Sequence, residues 1–189
     1  MKLFIDTETT GIPKFKNPAE HPEQPHLVQL AAILSDDYGT EVASINLIIN
    51  NGTLIIPPEA TRVHGISTEI AKKYGVSLSA ALKILSEMIE ISDLVIAHNI
   101  NFDAFILEIA ASRTLLKNSV FKIEKRYCTM RSSMALDGLP LNHAGKKKFP
   151  RLAELYNYAF GENFENAHDA MADCRAMMRI FWWLQEQKL

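Results

Sequence analysis

Two acidic residues, Asp6 and Glu8, stand two positions apart near the amino end of this 189-residue chain. Residues 2–6 read Lys-Leu-Phe-Ile-Asp, an apolar run that predicts a buried strand. Side chains at positions i and i+2 of a strand point to the same face, so the two carboxylates converge. Carboxylates that close repel each other unless a cation lies between them. Taken alone, the spacing fits a cation site and a polar strand end equally well.

A turn of small residues follows this acidic pair. Gly11 can adopt a positive φ, and we expect the backbone N–H groups of Thr9 and Thr10 to be exposed beside the cation position. Such a turn could hold a sugar.

A third carboxylate, Asp103, comes shortly after a second apolar segment at residues 94–97. Ligands of α/β sheets lie at the carboxyl ends of parallel strands, which favours a role in binding. An aspartate in a first helical turn is also a common structural choice, because its charge interacts favourably with the helix dipole.

The last candidates are His168 and Asp173, at the start of a predicted helix over residues 169–187. Residues five apart differ by roughly 140° around a helix axis, so the pair meets over one site only if His168 lies at or before the helix start. Asn166 or His168 as the N-cap would permit this arrangement. The alternative is that His168 is a solvated loop residue.

These segments resemble the three motifs of the DEDD superfamily of 3′–5′ exonucleases, in its histidine-bearing, DnaQ-like subgroup (DEDDh). The segments read FIDTETTG at 4–11, AHNINFD at 97–103 and NAHDAMAD at 166–173. Over nearly its full length the chain is similar to the proofreading (epsilon) subunits of bacterial DNA polymerase III and their stand-alone relatives. The segment PEATRVHGI at 58–66 resembles one that lines the nucleotide pocket in those relatives.

The resemblance implies a metal-dependent enzyme that hydrolyses phosphodiester bonds from the 3′ end of DNA, at single-stranded or frayed ends, and releases nucleoside 5′-monophosphates. The implied ligands of two ions are the four carboxylates Asp6, Glu8, Asp103 and Asp173. Oxygen ligands without cysteine suit Mg²⁺ or Mn²⁺. The implied general base is His168, since imidazole titrates near neutral pH.

Further residues are candidates for contact with a nucleic acid. Those near the acidic motifs or in the pocket-like segment are Thr9, Thr10, Glu59, His64, Asn99 and Phe102. Phe102 could stack on a base or could equally be a core residue. The run Lys146, Lys147 and Lys148 lies in a polar segment predicted to be a flexible loop, residues 137–150, where it could bind phosphates or be ordinary solvated surface.

The elements that must position these residues alternate along the chain. Apolar runs at 27–34 and 41–49, joined by turn-forming residues, predict a β-hairpin. The remaining predicted strands and helices are strands at 94–97 and 120–127 and helices at 79–91, 102–113, 151–160 and 169–187, with a short helix beginning at Pro58. This order predicts an α/β domain with a mixed sheet. The resemblance implies a ribonuclease H-like fold with a five-stranded sheet flanked by helices, and the length fits a single domain over 1–189.

Composition restricts the cellular setting more than the substrate. The net charge of −2 leaves nucleic-acid binding open, because bound cations would cancel clustered carboxylates. Two cysteines without zinc-site spacing, an early acidic residue and no long apolar run predict a cytoplasmic protein that does not cross a membrane. Proofreading subunits carry a carboxyl-terminal tail that docks onto the polymerase, whereas this chain stops soon after its last helix. Polymerase association therefore stays possible but unproven, and stable attachment is in doubt.

Two alternatives remain open from the sequence. The carboxylates act at a phosphate, so they do not distinguish DNA from RNA, and contacts to a 2′-hydroxyl would decide. A catalytically silent binding module on a polymerase or repair complex is the second alternative, and the presence of all five site residues argues against it.

Overall fold

One mixed β-sheet organises the fold; the structure, a computed structural model, describes residues 1–114, 121 and 123–189. Over these residues the sheet has six strands in the order β4-β3-β2-β1-β5-β6. The strands are β1 (Lys2–Thr9), β2 (Leu27–Ser35), β3 (Glu41–Asn50), β4 (Val76–Ser77), β5 (Leu94–Ala97) and β6 (Arg126–Cys128). The predicted mixed sheet is therefore confirmed with one strand more than the five expected. The two residues of β4 are too few to leave a periodic pattern in the sequence.

Strand β1 occupies the middle of the sheet. It pairs antiparallel with β2 and parallel with β5. Strands β2 and β3 form the predicted hairpin, antiparallel to each other. All nine residues of β2 are buried, as its almost continuous apolar run predicts. Strand β5 pairs only with Lys2–Phe4 of β1, so the end of β1 that carries Asp6 and Glu8 is paired with β2 alone.

Helices cover the sheet. They are α1 (Pro58–His64), α2 (Thr68–Tyr74), α3 (Leu78–Glu90), α4 (Ile100–Ser112), α5 (Thr129–Ser132), α6 (Leu152–Phe160) and α7 (Ala170–Glu186). The main core joins α4 and α7 to the central strands, and the ring of Phe181 on α7 meets that of Phe4 on β1 edge to face at 5.5 Å. No described helix is both long enough and apolar enough to span a membrane.

A second apolar cluster joins α6 to α7 and contains Leu155, Tyr156, Ile180 and Leu184. The ring of Trp183 packs at its edge against Phe160, with ring centroids 6.4 Å apart. Trp182 packs against the main core beside Phe181, so both tryptophans of α7 serve packing.

One predicted segment needs correction, and a predicted loop contains local structure that the sequence did not indicate. The strand at 120–127 falls partly on residues outside the described ones, and its described part forms a strand only at Arg126–Cys128. The segment 137–150, predicted to be a flexible loop, contains a defined turn in which the Asn142 side chain accepts hydrogen bonds from the N–H groups of Ala144 (2.9 Å) and Lys146 (3.0 Å). An isolated antiparallel bridge joins Leu141 to Lys147 across this turn.

Candidate active site

Asp6 and Glu8 lie at the carboxyl end of β1, both partly buried, while Thr7 between them is buried. The pairing with β2 is regular up to Glu8 and shifts between Glu8 and Thr9. A bulge of this kind bends the strand and re-aims the side chains beside it. Burial therefore alternates over Asp6, Thr7 and Glu8 as the i, i+2 spacing predicts, and the regular pairing of the strand ends directly after Glu8.

Asp103 lies in the first turn of α4, just beyond the carboxyl end of β5, and only 3% of its surface is exposed. The Thr7 hydroxyl donates a hydrogen bond of 2.8 Å to Oδ1 of Asp103. Sequence reasoning missed Thr7, although a polar residue inside a buried strand is an informative signal. One strand segment therefore presents two of the carboxylates and positions a third.

His168 and Asp173 approach each other because the chain turns sharply before α7. His168 has a φ of 72° and lies outside the helix, as the spacing required. The N-cap is Asp169 and not Asn166 or His168, since the Asp169 side chain accepts a hydrogen bond from the N–H of Ala172. The backbone N–H of His168 donates to Oδ2 of Asp173 at 3.3 Å.

The four carboxylates interact strongly, which their pKa values report. Burial, followed by repulsion from Asp103 and Asp173, raises the pKa of Asp6 well above its usual range. Burial and then Asp173 raise the pKa of Glu8 to about 8. Burial also raises the pKa of Asp103 to about 7, against the lowering effect of the Thr7 hydrogen bond.

The pKa of Asp173, the site carboxylate on α7, is raised as well. Burial raises the pKa of Asp173 to about 6, against the hydrogen bond from His168. Its Oδ1 is buried and has no hydrogen-bond partner within the described part of the chain. Potential ligand atoms of Glu8, His168 and Asp173 all lie within 4.8 Å of one another. Repelling carboxylates with an unsatisfied buried oxygen fit divalent cations, which would supply the missing positive charge.

A cleft of about 330 Å³ adjoins this acidic cluster. It is lined by Glu8, Thr9, Thr10, Gly11, Ile12, Glu59, Ala60, Val63, His64 and Phe102. Six of these lining residues, all but Gly11, Ile12, Ala60 and Val63, were predicted to contact substrate or metal. The cleft therefore brings together the end of β1, helix α1 and the start of α4.

Details of the turn after β1 differ from expectation. The N–H of Thr10 donates to the carbonyl of His26 at 2.9 Å, so it is not free for a ligand. The Thr10 hydroxyl in turn accepts from the N–H of His26 at 2.9 Å. Gly11 does not adopt a positive φ. The turn is held by pairing with the segment before β2, a contact that local spacing does not reveal.

The protonation of His64 in the cleft follows from its backbone contact. Its Nδ1 accepts a hydrogen bond of 3.1 Å from the N–H of Ile66, so in the neutral ring the proton is on Nε2. That Nε2 is buried and makes no hydrogen bond to any described residue, although the Thr9 carbonyl is near enough to raise the pKa that burial lowers.

The residues after β5 differ in what they contact: some support the fold, and Phe102 also lines the cleft. Asn99 adopts a left-handed conformation (φ 74°) as the N-cap of α4 and does not line the cleft, whereas Phe102 lines it and also packs against the core. His98 hydrogen-bonds to residues outside the strand–helix turn, with Nε2 3.0 Å from the Pro150 carbonyl and Nδ1 3.0 Å from the Thr129 hydroxyl. Burial lowers the pKa of His98 to about 4, so the ring is neutral at physiological pH.

The three lysines of the 137–150 segment differ from one another. Lys148 Nζ donates to Glu154 at 2.6 Å, and Lys147 Nζ contacts the Leu136 carbonyl at 3.2 Å and Asp137 at 3.5 Å. The Lys146 side chain makes no ion pair among the described residues, and it is exposed. Two of the three charges are thus already partly neutralised within the chain.

A family model for exonucleases, of the RNase T type, matches residues 3–181. The chain belongs to this exonuclease family. The match spans all of the acidic motifs, and it confirms the resemblance to DEDD enzymes that the motifs predicted. No curated protein sequence matches the chain.

Solved structures with the same fold include exonuclease I from two bacteria. The zinc-bound E. coli ExoI–ssDNA complex is 21% identical with a TM-score of 0.80, covering 99% of this chain and 40% of that one. E. coli exonuclease I with a dT13 oligonucleotide is 22% identical (TM-score 0.81, 99% and 41% covered). The Methylocaldum szegediense enzyme is 23% identical (TM-score 0.78, 99% and 40% covered). At this identity the likeness establishes the ribonuclease H-like exonuclease fold, and the chain spans about 40% of the length of these proteins.

Proposed function

We propose that residues 1–189 form one exonuclease domain that removes nucleotides from the 3′ end of single-stranded or frayed DNA and releases nucleoside 5′-monophosphates. The observation that carries the proposal is the convergence of Asp6, Glu8, Asp103 and Asp173 with His168 beside a cleft lined by residues of the family motifs. The related exonuclease I structures hold single-stranded DNA, which supports the same class of substrate.

The residues that would hold two divalent cations, Mg²⁺ or Mn²⁺, are the four carboxylates. When bound, such ions would activate water and stabilise negative charge on the attacking and leaving oxygens. The mutual repulsion of the carboxylates and the unsatisfied Asp173 oxygen support this assignment. All-oxygen carboxylate ligands suit these hard cations better than softer metals.

His168 is proposed as the general base that takes a proton from the attacking water. Its exposure beside Glu8 and Asp173 gives it access both to solvent and to the site. The backbone N–H of His168 donates a hydrogen bond to the Asp173 carboxylate, which holds the His168 backbone beside Asp173. A ring within 4.8 Å of two carboxylates also fits a metal ligand, so the two roles need separate readouts.

The preference for a 3′ end is proposed to arise in the cleft. His64 would contact the terminal sugar, and Phe102 would stack on the terminal base, a contact that tolerates any sequence. Glu59, which also lines the cleft, would accept a hydrogen bond from the same sugar. These are neighbours of the catalytic carboxylate Glu8, so a terminal nucleotide here would present its phosphate to the acidic cluster.

The setting of this activity is proposed to be the cytoplasm. Both cysteines, Cys128 and Cys174, are buried and free, which supports a reducing compartment. Association with a polymerase is not part of the proposal.

The deciding experiment follows the products of a DNA strand labelled at its 3′ end. We expect labelled mononucleotides from the first turnovers with Mg²⁺ or Mn²⁺, and none in EDTA. Asp6→Asn should abolish cleavage while the circular dichroism spectrum is unchanged. An RNA strand of the same sequence tests the preference for DNA, because cleavage at equal rates would contradict it.

Closed circular single strands provide the control for end dependence. They should resist cleavage, since they offer no terminal nucleotide to the cleft. Rapid cutting of circles would show an endonuclease, and undiminished activity of Asp6→Asn would refute the metal assignment. A chain inert toward every substrate at all metal concentrations would be the silent module instead.

A further inference from the structure

A buried glutamine interrupts the apolar strand β2. Gln29 has 3% of its surface exposed, in a strand otherwise made of apolar residues and a terminal serine. Its Nε2 donates to Oδ2 of Asp169 at 3.0 Å and to Oδ1 of Asn46 at 2.9 Å. Its Oε1 accepts from the N–H of Ala170 at 3.3 Å. The whole amide is therefore used, which offsets the cost of burying it.

The orientation of this amide follows from its partners. The N–H of Ala170 can only donate, so the atom facing it must be the carbonyl oxygen of Gln29. The NH₂ group is thereby directed at the carboxylate of Asp169. No reversed arrangement satisfies both contacts.

Gln29 holds the beginning of α7 through Asp169. The other oxygen of that carboxylate, Oδ1, caps the helix by accepting from the N–H of Ala172 at 3.0 Å. His168 immediately precedes this cap, and Asp173 lies in the first helical turn after it. The position of both site residues therefore depends on one carboxylate that Gln29 fixes.

The same glutamine lies next to the other half of the site. In the β1–β2 pairing Gln29 is directly opposite Glu8, at the last regular pair before the strand shift. A side chain anchored at this register thus links the strand that carries Glu8 to the helix start that carries His168 and Asp173.

We propose that Gln29 and Asp169 are positioning residues that set the spacing between Glu8 and the His168–Asp173 pair. The inference rests on the proposed function, because it concerns the geometry of the same metal site. Neither residue touches the reacting atoms. Their loss should change how well the site holds a cation and how fast it turns over, beyond any effect on stability.

The test breaks the pair and then restores it with reversed polarity. In Gln29→Glu, a carboxylate faces the carboxylate of Asp169 and the donor is lost. Adding Asp169→Asn supplies an NH₂ group that can donate to the carboxylate introduced at position 29, while its amide oxygen still caps Ala172. Asn46 can rotate its amide to donate as well, so the double variant regains the hydrogen bonds at the wild-type net charge.

We expect Gln29→Glu to lower kcat about 10–100-fold and to weaken Mn²⁺ binding by a similar factor, the usual effect of displacing the support of a metal ligand. KM for a long DNA strand should stay within about twofold, because the cleft is not altered. The double variant should recover most of both losses. Mn²⁺ binding is measured without substrate, and all assays are made well below the melting temperature of each variant.

Two controls separate positioning from stability. Asn46→Ala removes a partner of Gln29 that does not reach α7, and it should leave Mn²⁺ affinity and kcat near wild type. Gln24 is a second buried glutamine, 2% exposed, and among the described residues its side chain bonds only to the 14–18 segment. Gln24→Leu should lower the melting temperature without changing Mn²⁺ affinity.

The outcomes are distinguishable. If Gln29→Glu keeps wild-type Mn²⁺ affinity and kcat, or if the double variant recovers neither, the positioning role is refuted while the proposed function stands. If the wild-type chain neither binds Mn²⁺ nor cleaves DNA, the proposed function itself fails. Should Gln29→Glu not fold, Asp169→Asn breaks the same pair from the other side, and the double variant is compared with it.

Discussion

The backbone N–H of His168 donates to the side chain of Asp173, 3.3 Å away, although five positions separate them. A continuous helix would turn these residues roughly 140° apart. The positive φ of His168 keeps it outside α7, and the Asp169 cap starts the helix one residue later. The contact brings the exposed histidine to the ligand atoms of Glu8 and Asp173.

His168→Ala should lower kcat about 10²–10⁴-fold, the usual range for a lost general acid–base. Mn²⁺ affinity, measured by titration without substrate, should change less than about threefold if His168 is a base and not a ligand. The backbone hydrogen bond to Asp173 survives the substitution, so the helix start is kept. A parallel fall of rate and Mn²⁺ affinity would identify His168 as a metal ligand.

Thr7→Val should move the acidic limb of the pH–rate profile to higher pH. The hydroxyl lowers the pKa of buried Asp103 more than the backbone hydrogen bonds of Asp103 and Thr7 do, so without it this carboxylate would stay protonated to a higher pH. A hydrogen bond to a charged group contributes about 1.5–3 kcal/mol, so the rate near neutral pH should fall about tenfold or more and recover partly in alkali. Thr7→Ser keeps the hydroxyl and serves as the control. Identical profiles for wild type and Thr7→Val would contradict the role of this bond.

The stability of the protein in EDTA should fall as the pH rises from about 4 to about 8. Unfolded carboxyl groups titrate near pH 4, whereas the folded pKa values are about 8 for Glu8, 7 for Asp103 and 6 for Asp173. The folded state therefore binds more protons than the unfolded chain across this interval, and its free energy of unfolding decreases with pH. His98, whose pKa is lowered to about 4, acts in the opposite direction but is one group against several.

Melting temperatures in EDTA and in Mg²⁺ measure this effect. Each kcal/mol lost corresponds to about 2–4 °C in a protein of this size, so a fall of several degrees should be resolved. Mg²⁺ should restore the stability that is lost at higher pH, because it binds the ionised carboxylates of the folded state. Glu8→Gln should reduce the dependence of the melting temperature on pH in EDTA. A melting temperature that rises steadily from pH 5 to pH 8 in EDTA would contradict the prediction.

Replacing Lys146, Lys147 and Lys148 with alanine should weaken the binding of long strands and flatten its salt dependence. Each lost phosphate contact on a single strand reduces the slope of log binding constant against log salt concentration by about 0.7. Lys146→Ala should account for most of the effect, because Lys147 and Lys148 already contact Asp137 and Glu154. Cleavage of a dinucleotide, too short to reach this segment, should be unchanged.

The matched control for the lysine segment is Lys125→Ala. Lys125 is exposed and immediately precedes β6, which runs parallel to β5. It therefore lies at the amino ends of these strands, whereas the candidate site lies at their carboxyl ends. Equal salt slopes for Lys146→Ala, Lys125→Ala and wild type would show the 146–148 run to be ordinary surface.

Local patterns in the sequence were sufficient for most elements and for the acidic residues. The apolar runs of residues 2–6 and of β2 identify strands, because a strand buried in the middle of a sheet is made of consecutive apolar residues. The end of each strand then marks where Asp6, Glu8 and Asp103 gather. The short β4 and the reduced β6 were not predictable in the same way, since two or three residues carry no period.

Tertiary structure alone decided what supports the site. The bond from Thr7 to Asp103 spans 96 positions and that from Gln29 to Asp169 spans 140, so neither follows from any local spacing. The sequence does show Gln29 as a polar residue in an apolar strand, but its partner depends on how α7 packs across β2. The pairing of Thr10 with His26 likewise depends on the route of the intervening segment. Sequence determined which residues could hold a cation, because their chemistry is local; their spacing was decided by packing between distant elements, because that is where buried polar groups must find partners.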